Sequence, residues 1–187
     1  MVKTITFHKN ITYIGTEKGA YILKKWETTA IKINNINNIK INTINVLNKN
    51  VYFGSDDGVY ILKNRETTAT KIKNINTQYV NGITVNNQIY FSTFDGIYFL
   101  TDDETTATKI NGLDYVSVHL LEIDKNHNVY FATNQGLYVL KNGETTATKI
   151  NGIDENVWTI EIINNDIYFG TDFGAYVLKM TKQIQNK

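Results

Sequence analysis

Short runs of β-branched and aromatic residues, four to six long and divided by Asn, Gly, Asp and Thr, recur along the whole chain, and no stretch shows helical periodicity. The clearest copies are Ile11-Thr12-Tyr13-Ile14-Gly15, Val51-Tyr52-Phe53-Gly54, Ile89-Tyr90-Phe91-Ser92, Val129-Tyr130-Phe131-Ala132 and Ile167-Tyr168-Phe169-Gly170, beginning 38 or 40 residues apart. Each is followed at a near-fixed offset by Gly19, Gly58, Gly96, Gly136 or Gly174, then an apolar or small residue, then Tyr21, Tyr60, Tyr98, Tyr138 or Tyr176. Ten of the twelve tyrosines fall in these two positions, so the repeat itself sets the tyrosine content. Four copies run on into Glu-Thr-Thr-Ala, at Glu27, Glu66, Glu104 and Glu144, and then to Lys-Ile. The chain is five copies of one unit.

The third unit shows what a copy builds. Its apolar runs are Val80 to Val85, Ile89 to Thr93, Gly96 to Leu100 and Ala107 to Ile110, predicted strands A, B, C and D. Asn86-Asn87 suits a two-residue hairpin, and Gly96 stands where a tight turn needs a left-handed residue, as its counterpart does in every unit. Each unit is therefore expected to be a four-stranded antiparallel meander. The Asn- and Ile-rich stretch from Ile31 to Asn50 keeps the apolar spacing of strands D and A, so it reads as folded rather than as a low-complexity tract. Lys32, Lys71, Lys109 and Lys149 fall on the outermost D strands, where charge discourages edge pairing with another chain.

Four strands per unit at a period near 40 point to an all-β, five-bladed β-propeller with blades at about 1–38, 39–78, 79–114, 115–155 and 156–187. Residues 1–10 align with strand A, and Thr181 to Ile184 offers a shortened last D strand. Every blade is then made of consecutive residues, with no shared closing strand. The units resemble the repeats of two-component-regulator propellers. The resemblance is best from Val118 to Leu140, through Leu121-Glu122-Ile123-Asp124-Lys125-Asn126-His127-Asn128, Val129-Tyr130-Phe131-Ala132-Thr133 and Gly136-Leu137-Tyr138. It implies the fold and no particular ligand. Tyr stands where that family's second strand usually carries Trp, and no transmembrane helix or kinase accompanies the repeats, so membrane signalling is not implied.

Composition narrows the chemistry. The 187 residues are 42% hydrophobic and 20% charged, with formal net charge +1 and neither Cys nor Pro. Disulfides, cysteine zinc sites and thiol nucleophiles are excluded, and the neutral balance argues against nucleic acid. No apolar run is long enough for a membrane span and the first residues lack a signal peptide's apolar stretch, so membrane insertion is not expected and cytoplasmic location is the default. His8, His119 and His127 lack metal-ligand spacing, and no phosphate loop, calcium loop or nucleophile elbow is present, so neither metal nor cofactor is expected. Glu122 and Glu161 occupy aligned positions in neighbouring units, and an acid/base pair there gives the alternative reading, a small hydrolase or lyase at the channel mouth.

The favoured reading comes from the positions that the repeat leaves free. The second residue of strand A is Lys3, Asn42, Asn81, His119 and Trp158 in turn. In a propeller the D-to-A and B-to-C loops share one rim, which would also receive the aromatics Tyr79, Phe94, Tyr115 and Phe173 and acids including Asp172. The opposite face receives Trp26 and mostly lysines. Aromatic platforms beside Asn and Asp suit a neutral sugar, and the acids would also favour a basic peptide. The expectation is a monomeric, noncatalytic, lectin-like or peptide-binding propeller with its ligand on that rim. The four Glu-Thr-Thr-Ala copies are expected to have a structural rather than a binding role.

Overall fold

The computed structural model describes residues 1–179 apart from 65, 76–78, 87 and 102–103. The chain divides into two compact units, Met1–Ile110 and Asn111–Lys187. Among the described residues every regular element is a strand, and every sheet is an antiparallel meander of consecutive strands.

The first unit holds three four-stranded sheets. They are β1 (Val2–His8) to β4 (Ile31–Asn37) with β2 (Ile11–Thr16) and β3 (Gly19–Lys24); β5 (Ile41–Leu47), β6 (Asn50–Ser55), β7 (Gly58–Leu62) and β8 (Thr70–Lys71); and β9 (Val80–Asn86), β10 (Gln88–Thr93), β11 (Gly96–Thr101) and β12 (Thr108–Lys109). The second unit holds β13 (Val118–Ile123), β14 (Val129–Thr133), β15 (Gly136–Leu140) and β16 (Thr148–Lys149), then a three-stranded sheet of β17 (Val157–Ile163), β18 (Asp166–Thr171) and β19 (Gly174–Leu178). The first strand, β1, pairs with β2 within its own sheet. The predicted last D strand, Thr181 to Ile184, and Asn87 of the predicted hairpin lie outside the described residues. The Asn/Ile stretch is folded, as β4, β5 and the start of β6.

Both faces of the β5–β8 sheet are buried. In the first unit, Tyr13 and Ala20 of one sheet pack against Ile41, Ile44 and Phe53 of the next. Tyr52, Val59 and Ile61 then pack against Val80, Ile89 and Phe91. In the second unit Tyr130, Ala132 and Leu137 meet Val157, Ile160 and Phe169 in the same way. Burial on two sides explains why β6 and β7 read as continuous apolar runs rather than as alternating ones.

Three of the four Glu-Thr-Thr-Ala stretches have a structural task. The Thr-Thr-Ala backbone bridges in parallel to the preceding D segment, at Asn34–Thr68, Lys73–Thr106 and Asn111–Thr146. In each case two backbone bonds flank the bridge: Asn34 N–H to Thr67 O and Ala69 N–H to Asn34 O, at 2.9 and 3.1 Å, are typical. These bonds draw backbone away from the sheet, so β8, β12 and β16 are only two residues long where a four-residue run was expected.

Candidate functional site

Each strand A begins with an irregularity of the same kind. Pairing with strand B skips one residue between Val2 and Thr4, Ile41 and Thr43, Val80 and Gly82, Val118 and Leu120, and Val157 and Thr159. The skipped residues are Lys3, Asn42, Asn81, His119 and Trp158. The variable position of the sequence is thus a β-bulge in all five copies. A bulge removes its residue from the ladder and re-aims its side chain, which is why this position varies while its neighbours repeat.

The B-to-C turns facing these bulges share one construction. A Thr or Ser hydroxyl closing strand B donates to the carbonyl of the turn glycine, at 2.6 to 3.3 Å, in all five copies. The glycines there hold φ from 103° to 139°. Such a turn fixes the residue after the Thr or Ser opposite its own sheet's bulge. Lys3 accordingly pairs with Glu17 at 3.3 Å, Asn42 donates to Asp56 at 2.8 Å, and the Trp158 indole N–H donates to Asp172 at 2.6 Å.

In the second unit the bulges of adjacent sheets meet. The His119 imidazole stacks on the Trp158 indole with centroids 4.4 Å apart and planes 25° from parallel. His119 Nε2 lies 3.0 Å from Asn156 Oδ1. Trp158 is thus held on one ring face and at its N–H, yet stays 53% exposed. Asn156 was not singled out from sequence; its only signal is its place just before a strand A. Phe173, beside Asp172, and Tyr115 are strongly exposed in this unit, as is Phe94 in the first, where Tyr79 is half exposed. Tyr79 and Tyr115 both hold positive φ, an uncommon geometry for bulky residues. The side chain of Asn81 lies outside the described residues. Trp26 is almost fully exposed, with the Lys25 ammonium 4.9 Å from its ring centre.

The acids at these turns are largely engaged by their own sheets. Glu17 also meets the chain's N-terminal ammonium, and Asp56 lies 3.7 Å from the Lys40 ammonium. Asp57 accepts from the Tyr60 hydroxyl at 2.7 Å and pairs with Lys71 at 2.9 Å, which lowers its pKa. Asp95 accepts from the Tyr98 hydroxyl, and Asp154, in the loop before β17, pairs with Lys149. This local pairing reduces the acidic field that a basic peptide would need.

Glu122, on β13, has its pKa raised, first by burial and then by the charge of Glu161 on β17. No grouping of three or more His, Asp or Glu side chains suited to a metal occurs among the described residues.

No family model and no curated protein matches the chain. Solved structures do. The computationally designed Ika8 protein is 13% identical with a TM-score of 0.73, over 94% of this chain and 57% of that one. The extracellular domain of the putative one component system BT4673 from B. thetaiotaomicron is 19% identical with a TM-score of 0.66, over 94% of this chain and 27% of its own. YCF48 bound to D1 peptide is 9% identical with a TM-score of 0.63, over 96% and 63%. The fold is that of a β-propeller. This chain spans less than two thirds of the length of each of these three.

Proposed function

We propose that this propeller is a noncatalytic binding protein, and that its second unit seats a neutral carbohydrate on Trp158. The five repeats are its blades. The observation that carries the reading is Trp158 itself, an aromatic ring at a bulge, oriented by His119 and Asp172 and still half exposed. A ring fixed before binding loses little conformational freedom when a ligand arrives. Its apolar face suits the C–H face of a sugar, while Asn156, Asp172 and the His119 edge offer hydrogen bonds to hydroxyls. In the first unit, Lys3 and Asn42 are tied to carboxylates of their own turns and present no ring.

A glycan array with the purified protein tests this reading. Binding that falls when Trp158 becomes Ala supports it, and an array with no hits, or one indifferent to Trp158, removes it. The raised pKa of Glu122 favours a second reading, a hydrolase or lyase using Glu122 and Glu161 as acid and base. Turnover of a glycan that disappears in Glu122→Gln would install that reading instead.

A further inference from the structure

The strand-B tyrosines differ in what their hydroxyls meet. Tyr90 donates to Gln88 Oε1 at 2.7 Å, and the Tyr130 hydroxyl lies 3.4 Å from Asp124 Oδ2. Gln88 opens β10 and Asp124 follows β13, so both hydroxyls turn to the A-to-B end of their sheets. The residue two before the tyrosine is Asn50, Gln88, Asn128 or Asp166 in the last four repeats, but Ile11 in the first. Tyr13 thus has an apolar neighbour where its counterparts have an amide or a carboxylate. It is only 7% exposed, and its hydroxyl has no hydrogen-bond partner among the described residues.

That hydroxyl is not sealed in, because no side-chain polar atom among the described residues is both fully enclosed and unpartnered. Tyr13 lines a pocket of about 300 Å³ between the first two sheets of the first unit, the size of a small-molecule site. Ile11 and Ile22 wall it from the first sheet, and Val51 and Leu62 from the second. The pairs Tyr13–Ile22 and Val51–Leu62 make each wall one sheet face. Lys24, Lys49 and Lys63 line the same pocket against one acid, Glu66. Lys24 sits directly across from Ile11 in the ladder. Both Lys24 and Lys49 are exposed, so their stems run along the pocket while their charges stay in water at its mouth. Lys24 lies 4.0 Å from Glu27, and Lys49 makes no ion pair among the described residues.

We propose that this pocket binds a small carboxylate with an apolar body, its carboxylate accepting from Tyr13 and facing Lys24 and Lys49, its body held between Ile22, Val51 and Leu62. The ligand oxygen then supplies Tyr13 with what Gln88 and Asp124 supply to Tyr90 and Tyr130. An alcohol or an amide could also accept from Tyr13, but three lysines against one glutamate select an anion. Burial raises the Tyr13 pKa, so the phenol stays protonated and able to donate at neutral pH. The site lies wholly within the first unit and does not depend on the Trp158 reading.

Isothermal titration calorimetry of the whole chain with octanoate and with 4-phenylbutyrate tests the proposal, with circular dichroism confirming that each variant is folded. At least one of the two is expected to bind one-to-one, and the alcohol with the same body at least about tenfold more weakly. Tyr13→Phe keeps the ring and breaks no bond that the protein itself makes. Its melting temperature should hold while carboxylate binding falls at least about tenfold. Ile11→Gln offers Tyr13 the acceptor that Gln88 offers Tyr90, and should weaken binding by competing for the hydroxyl; it decides the matter if Tyr13→Phe does not fold. Failure of both carboxylates to bind overturns the proposal. So does equal binding of the matching alcohol, or binding that either folded variant keeps at full strength.

Discussion

His119 and Trp158, one repeat apart in sequence, stack with ring centres 4.4 Å apart because both occupy the bulge at the start of strand A in adjacent sheets. The stack and the bond to Asp172 hold the indole without burying it. Replacing Trp158 with Ala is therefore expected to cost about 2 kcal/mol or more of glycan binding while leaving the melting temperature nearly unchanged. A Trp26→Phe background leaves Trp158 as the sole tryptophan, so its fluorescence reports binding directly. Unfolding of Trp158→Ala would identify the ring as a packing element instead.

The antiparallel meanders were legible in the sequence because each copy restates the same Tyr and Gly positions, and five restatements leave few foldings consistent with all of them. The bulges were legible only as variability at Lys3, Asn42, Asn81, His119 and Trp158. A bulge is a mismatch of register between two strands, and one strand's sequence does not specify its partner's count. The turn acids were legible as acids but not as engaged ones. The partners of Asp56 and Asp57 include Lys40 and Lys71, brought near by the meander rather than by adjacency in sequence. Strand D came out shorter than its apolar run because Ala107 N–H bonds to Lys73 in the preceding sheet, an interaction between repeats that no single repeat displays.

Gly136 and Gly143 separate turn strain from crowding. Both hold positive φ, 116° and 83°, so Ala at either carries the left-handed penalty of about 1 kcal/mol. At Gly136 the added Cβ also falls on the Ile153 carbonyl oxygen and 2.9 Å from Lys149, whereas at Gly143 nothing lies within 4 Å. Chemical denaturation should show Gly136→Ala losing clearly more stability than Gly143→Ala. Equal losses would mean that the turn relaxes around the new methyl.

The Glu-Thr-Thr-Ala stretches predict a pattern of amide exchange. Ala69, Ala107 and Ala147 donate to Asn34, Lys73 and Asn111 at 2.9 to 3.1 Å and are buried, so their amides should exchange slowly. Ala30 is exposed and should exchange fast in dilute protein. Uniform fast exchange at all four, followed by NMR, would show that the bridges between sheets are not held in solution.

Glu122 predicts the sign of a pH effect. Its folded-state pKa lies above the ordinary 4.5, first through burial and then through the charge of Glu161. A carboxyl raised on folding binds its proton more tightly in the native state, so its charged form penalises stability above the folded pKa. That penalty fades as pH falls through the folded value towards the unfolded one. Glu122→Gln removes the charge and should melt higher than the wild type near about pH 7, with the two curves converging near about pH 4. Glu161→Gln removes only the neighbour's contribution and should give a smaller gain over the same window. A Glu122→Gln variant that melts lower than the wild type at neutral pH would show that the carboxylate is held by a favourable partner, and the burial argument would fail.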